Sequence, residues 1–213
     1  DSSTSRGLGD VYKRQVLYKR LAMMFFAIII MSQAFAQNQL TEQIQRRAAE
    51  KVGQMNDYIS FMANKNKKPN TRLYYKKKAL NLFVGYGESY EEDGVRKEGV
   101  QMEVTSIKRK TKSRRLMKTY FQSLIDLGYS QVSITSTDIA DIKVSQLQKI
   151  GENRYVCTCY FEQAFVGYQD GRPIYKDITR KHVKCYVFAE ETENGTEFMV
   201  LLGDVTADET RKL

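Results

Sequence analysis

The sequence predicts an α+β fold in which three N-terminal helices pack on a curved, mostly antiparallel sheet. Three observations carry this prediction. Apolar residues keep a helical period from Leu40 to Met62, and again in the stretches 73–83 and 116–127. From Tyr129 onward, strand-like segments follow one another, separated by hairpin-type turns. One long segment, 174–188, changes the parity of its apolar residues partway: Ile174 and Ile178 are even, whereas Val183, Cys185 and Val187 are odd. Strict alternation cannot do this without a bulge or bend near Thr179 to Lys181, as wrapping a strand around helices would require. Helices first and a meander afterwards is the order of a layered α+β domain.

Two segments precede that domain. Residues 1–15 (DSSTSRGLGDVYKRQ) carry no apolar period, and Ser5 to Gln15, back-translated, matches the adapter of transposon-based sequencing libraries. They are set aside as an assembly artefact. Residues 16–36 (VLYKRLAMMFFAIIIMSQAFA) have the order of a secretory signal peptide: Lys19 and Arg20, an apolar run from Leu21 to Met31, then Ala34-Phe35-Ala36 at the expected cleavage site. That run is well short of the roughly 20 residues a membrane-spanning helix needs. Cleavage would leave Gln37 to Leu213, a length that suits one domain. It would also remove five basic and two acidic residues, so the formal charge of +9 falls to +6.

Within the mature chain, Leu40, Ile44, Ala48, Val52, Met55, Ile59 and Met62 alternate steps of four and three and keep one helical face apolar, with Gly53 a tolerated cost. Pro69-Asn70-Thr71 breaks the chain and offers caps for a second helix through Leu73, Leu80 and Phe83, which stops near Gly85. The stretch "GVQMEVTSI" alternates Val100, Met102 and Val104 with polar residues, as a half-buried strand does. A third helix is expected from Thr111 or Ser113, with Leu116, Met117, Tyr120, Phe121, Leu124 and Leu127 on one face and Gly128 as its stop. Strands follow at "SQVSITST", "IKVSQLQKI", "RYVCTCYFEQAFVGY", "PIYKDITRKHVKCYVFAE" and "TEFMVLLGDVT". Their turns fall at residues 151–153, at Gln169-Asp170-Gly171-Arg172 and at Asn194-Gly195.

Two helices, the strand "VQMEVTSI", a helix at "TKSRRLMKTYFQSLIDLG" and then long bent antiparallel strands resemble the nuclear transport factor 2-like superfamily over about residues 40–206. The stretches "GYQDGRPIYKD", "VKCYV" and "LLGDVT" are similar to exported proteins of Bacteroides-type bacteria. The superfamily resemblance implies a cone-like sheet closed by helices, a pocket between the two layers and frequent homodimers. It does not fix a reaction, because such cones include enzymes and binding modules alike.

Candidate chemistry is sparse. Cys157 and Cys159 share one strand face and are poorly placed to bond each other. Cys185 and Cys157 lie equally far from Gly171, so an unbulged hairpin centred there sets them opposite; a Cys157–Cys185 or Cys159–Cys185 disulfide competes with three small buried thiols. The C-x-C spacing, with no fourth ligand, does not suit a metal, and no motif calls for a cofactor. His182 has Arg180 and Lys184 as same-face neighbours and reads as part of a solvated charged face. "GYGES" at 85–89 reads as a turn, and Asp138 and Asp141 as strand breakers. Glu162 is the carboxylate to watch, with Tyr160 and Ala164 on its face. A partly buried carboxylate can be tuned as a base, and the resemblance adds that isomerase-like members pair a pocket acid with a tyrosine. The plainer alternative is a polar residue on an outer strand face.

The basic residues cluster in 65–78 (KNKKPNTRLYYKKK) and 108–115 (KRKTKSRR). Export makes nucleic acid the wrong partner. If helix packing brings the clusters to one edge, Lys67, Lys68, Lys76, Lys108, Arg109 and Arg114 would form a surface for an anionic glycan or lipid headgroup; solvated helix ends are the alternative. The expectation is thus a periplasmic or secreted, non-enzymatic binding or assembly module. A small isomerase- or hydrolase-like enzyme using a pocket carboxylate stands as the alternative.

Overall fold

The structure, a computed structural model, describes residues 38–193 and 195–213, with Arg109, Lys110 and Thr111 described in backbone only. The adapter match and the signal peptide lie outside the described residues. Contacts divide the chain into residues 1–43 and Ile44–Leu213. The strands and the two later α-helices all belong to the second unit, and the first helix begins at residue 38 in the first unit.

Helix α1 (38–63) completely buries Ile44, Ala48, Val52, Met55, Ile59 and Met62, the stripe that the four-and-three spacing predicts. Each fully buried Ile, Val or Met side chain among them stabilises by about 1.5–3 kcal/mol. Gly53 is more than tolerated, since a Cβ there would lie 2.5 Å from Ile139 Cγ1 and block the close approach of the turn Ile139–Asp141. Helix α2 (Pro69–Leu80) starts at proline, whose missing N–H would be unpaired there anyway. Its N-cap is therefore Lys68, without a side-chain bond, and Asn70 and Thr71 lie in the first turn rather than capping it. The helix ends before Phe83, which instead bridges to Leu202.

A short hairpin, β1 (Tyr90–Glu92) and β2 (Val95–Lys97), forms its own two-stranded sheet. Strand β3 (Gln101–Ser106) appears where alternation predicts it. Its partner β4 (Arg109–Leu116) corrects the third helix, which begins only at Met117 (α3, Met117–Ile125). The stretch before Leu116 has no apolar helical stripe, whereas pairing from Gln101↔Leu116 to Ser106↔Arg109 satisfies its backbone, and a sequence rich in arginine and lysine suits an edge strand.

The remaining strands are β5 (Gln131–Ser136), β6 (Lys143–Val144), β7 (Gln148–Gly151), β8 (Arg154–Gln169), β9 (Arg172–Thr192) and β10 (Gly195–Arg211). The main sheet runs β4-β3-β10-β9-β8-β5, and β6 and β7 also pair with β8. Every pairing is antiparallel except β3 with β10. The architecture is the α+β class expected, with helices packed on a large, mixed, mostly antiparallel sheet. The β8–β9 turn is the dipeptide Asp170-Gly171, whose φ values of 50° and 77° fit the primed turns that match strand twist.

Strand β9 corrects the expected change of face. Against β8 its register is unbroken from Arg154↔Phe188 to Gly167↔Tyr175, with a shift only at Gly167/Tyr168. The irregularities near its middle lie in β10, between Leu202 and Val205 and between Ala207 and Thr210. β9 therefore keeps one face inward throughout: Asp177, Thr179, Lys181, Val183, Cys185 and Val187 are all buried, while Ile174 is 56% exposed. What changes along the strand is the chemistry of the inner face.

Candidate functional site

The inner faces of β8 and β9 pair rung by rung. The rungs Cys157↔Cys185 and Cys159↔Val183 are apolar and fully buried. Phe161↔Lys181, Gln163↔Thr179, Phe165↔Asp177 and Gly167↔Tyr175 then bring polar groups onto the same face. Gln163, Asp177, Thr179 and Lys181 are buried there. These rungs line a recess of about 380 Å³, whose apolar walls are Val104, Leu124, Leu127, Tyr129 and Phe165. Tyr129 can lie against the sheet because Gly167 has no side chain, a Cβ there falling 2.6 Å from the tyrosine ring.

Lys181 Nζ donates to Gln163 Oε1 at 2.8 Å and to Met102 Sδ at 3.8 Å, and lies 5.5 Å from the centroid of the Tyr120 ring. Among the described residues no carboxylate lies within ion-pairing distance of it. Burial pushes its ammonium down to about 8, with Asp177 opposing the shift. The Tyr175 hydroxyl donates to Asp177 Oδ2, and Ser106 Oγ lies 2.8 Å from the same hydroxyl. Burial raises the Asp177 carboxyl above the usual carboxylate range, against the hydrogen bond from Tyr175 and the charge of Lys181. Burial also raises the Tyr120 and Tyr175 hydroxyls. Thr179 Oγ1 lies 2.7 Å from Thr210 Oγ1, which in turn meets Thr105. Lys108, 5.4 Å above the Tyr175 ring, and Arg115, 3.4 Å from Ser123 Oγ, add two further cations to the lining. The arrangement can hold a molecule through hydrogen bonds and charge together with apolar contact.

The sequence-predicted carboxylate is elsewhere. Glu162 and Tyr160 lie on the even, outer face of β8, and Glu162 accepts from Arg211 Nη2 at 2.8 Å with Arg180 at 3.6 Å. A desolvated base is not what this ion-paired group offers. The outer face also carries a groove of about 430 Å³ near Tyr160 and His182, but its charges are matched in pairs: His182 Nε2 lies 3.0 Å from Asp208 Oδ2, and Lys184 donates to Glu92 at 2.9 Å. His182 thus belongs to the charged face its neighbours indicate.

All three cysteines are free and buried. Cys157 does face Cys185, though through a two-residue turn plus one bulge rather than an unbulged hairpin, and the three thiols form one cluster in which Cys185 Sγ lies 3.6 Å from Cys159 Sγ. Hydrogen bonding to Cys157 first, and burial as well, raise the Cys159 and Cys185 thiols. No group of three metal-ligating side chains occurs among the described residues, and no helix there is long and apolar enough to cross a membrane.

The basic clusters do not meet on a shared helical edge, because residues 109–116 are a strand. Lys67 covers the Phe61 ring at 4.9 Å, and Lys76 donates to Gln122 on α3. Lys68 is the N-cap of α2. Lys108 faces the recess, and Arg114 pairs with Asp204 at 3.8 Å. The Arg109 side chain is outside the described residues. Two cations within 65–78 serve helix ends: Arg72 donates to Met62 O at 2.7 Å and Ile125 O at 2.6 Å, and Lys65 to Ile125 O at 2.9 Å.

The recess residues were hidden in the sequence because Asp177, Thr179 and Lys181 read as an outer face beside Ile174 and Ile178. Extending the odd phase of Val183, Cys185 and Val187 backwards would have placed them inside.

No family model and no curated protein matches the chain. Among solved structures, it is similar to a scytalone dehydratase-like protein of Novosphingobium aromaticivorans DSM 12444 (12% identity, 82% of this chain and 91% of that one, TM-score 0.39). It is also similar to the Kfla4162 protein of Kribbella flavida (12% identity, 80% and 95%, TM-score 0.40). At these scores neither likeness carries an argument about this chain, whose fold class rests on its own element order and strand pairing.

Proposed function

We propose that this is an exported binding protein of the nuclear transport factor 2-like type, similar in address to the Bacteroides-type proteins noted above, which holds a small molecule in the recess between α3 and the sheet. One observation carries the reading: Lys181, Gln163, Thr179, Asp177 and Tyr175 converge from adjacent rungs on a single, partly apolar cavity. Stability alone gives no reason to turn so many polar groups inward. The test is a small-molecule screen read by aromatic and methyl NMR signals. Binders should shift Tyr129, Phe165 and Tyr175; binders that shift only outer-face residues such as Tyr160 and His182 would refute the reading. Export is tested by fractionation of cells carrying a C-terminally tagged chain, with Gln37 expected as the mature N-terminus.

A second reading has its own observation in favour. Asp177, buried, raised and hydrogen-bonded to Tyr175, supplies inside the recess the acid–tyrosine pair that Tyr160 and Glu162 do not. An isomerase- or hydrolase-like enzyme would use Asp177 to move a proton, and any turnover found with a bound compound should then be lost in Asp177→Asn while binding persists.

A further inference from the structure

A buried ammonium is expensive unless an anion meets it, since removing a charge from water costs several kcal/mol that neutral acceptors only partly return. Lys181 is 7% exposed, and its partners are an amide oxygen, a thioether and an aromatic ring, all neutral. The chain behind it is polarised in one direction. An ammonium can only donate, so Gln163 must turn its oxygen to Lys181 and its NH₂ to Asn56 Oδ1, 3.3 Å away. That leaves Asn56 Nδ2 buried without an acceptor, in a residue 4% exposed. The molecule therefore maintains a lysine–glutamine–asparagine chain that is an acceptor short at one end and an anion short at the other. Groups left in this state call for an explanation, and function is a common one.

The rest of the lining points the same way. Lys108, Arg115 and Lys181 contribute three cations to the recess against the single carboxyl of Asp177, which is hydrogen-bonded by Tyr175. The deep end offers one ammonium and no guanidinium fork, which suits a monoanion better than a phosphate with several charged oxygens. Phe165 stands two inner rungs along the sheet from Lys181, on the Asp177 rung, and with Tyr129, Leu124 and Leu127 gives the same recess its apolar lining.

We infer that the ligand class is a small carboxylic acid with an apolar body, its carboxylate against Lys181 and its carbon skeleton against Phe165 and Tyr129. This rests on the recess being the binding site, as proposed above. The test compares matched probes on the full chain by calorimetry and NMR: 4-phenylbutyrate with 4-phenylbutyramide, and hexanoate with hexanamide. At pH 7 each acid should bind about tenfold tighter than its amide or better, a difference of the size a buried charge-assisted hydrogen bond supplies. Lys181→Met should bring that ratio to about one. In the wild-type protein, acid affinity should fall as pH rises past about 8 and lysine loses its proton, a readout that does not depend on the variant folding. Equal binding of acid and amide, or a preference that survives Lys181→Met, overturns the carboxylate assignment and leaves the recess as a binding site. If neither series shifts Tyr129, Phe165 or Tyr175, the recess reading falls and the assignment falls with it.

Discussion

Replacing Lys181 by methionine should make the ligand-free protein more stable. The side chain is buried, and its ammonium, ordinarily at 10.5, is held at about 8. At 1.36 kcal/mol for each step of one in pKa, the folded state disfavours the charged form by about 3 kcal/mol. Methionine fills a similar volume without a charge but leaves Gln163 Oε1 without its donor, which costs about 1–2 kcal/mol. The net gain is about 1–2 kcal/mol at pH 7, or roughly 2–8 °C in Tm for a chain of this size. The sign with pH follows from proton counts. Between about 8 and 10.5 the unfolded lysine still holds its proton while the folded one has released it, so wild-type stability rises with pH relative to the variant. Urea unfolding followed by far-UV circular dichroism, the chain having no tryptophan, should therefore show the advantage of Lys181→Met shrinking from pH 7 to pH 9.5. Other groups whose ionisation changes on folding, such as Cys185 and Lys97, are common to both proteins and cancel. A variant less stable than wild type at pH 7, or an advantage that does not change with pH, would refute the reasoning.

Glu92 accepts from Lys97, Lys184 and Tyr186, and these hydrogen bonds, against the opposing effect of burial, hold its carboxyl at about 2 instead of 4.5. Its stabilising contribution is complete above 4.5 and is lost as pH falls through about 2; with solvent screening, Glu92→Gln should cost about 1–2 kcal/mol at pH 7 and only a small part of that at pH 2, measured by chemical denaturation. Arg72→Met should destabilise by about 2–3 kcal/mol, because two helix-end carbonyls lose a charged donor; a loss below 0.5 kcal/mol in the same assay would contradict that role. The three cysteines should resist an aromatic disulfide reagent in the native protein and react with three equivalents in denaturant; an intact mass 2 Da lower before reduction would instead establish a disulfide.

The helix of residues 38–63 and the long hairpin were legible because their signals are local: a 3.6-residue apolar period in one case, alternation and an Asp-Gly turn in the other. The β3–β4 hairpin was less so. A lysine-rich edge strand has no apolar pattern of its own, and the stripe from Leu116 to Leu127 draws a helix boundary too far upstream. The recess failed to show for a related reason. Reading strand faces from hydrophobicity assumes that the inside is apolar, and Asp177, Thr179 and Lys181 break that assumption where the fold encloses a polar space. The Cys157–Cys185 register was found from distance to the turn. Which sulfurs come close depends on side-chain rotamers, and sequence separation carries no information about those.

The rung order of the β8–β9 hairpin has a consequence for how such a protein can change over time. Two kinds of inner face occupy different lengths of the same ribbon: the stretch around Cys157, Cys159, Val183 and Val187 is apolar and buried, and the stretch around Gln163, Asp177, Thr179 and Lys181 faces the cavity. Alternate positions of one strand can then be exchanged to suit acids, alcohols or amines while the apolar half keeps its packing. If the recess is the binding site proposed above, its ligand preference is a trait that single substitutions can redirect without a new solution to folding.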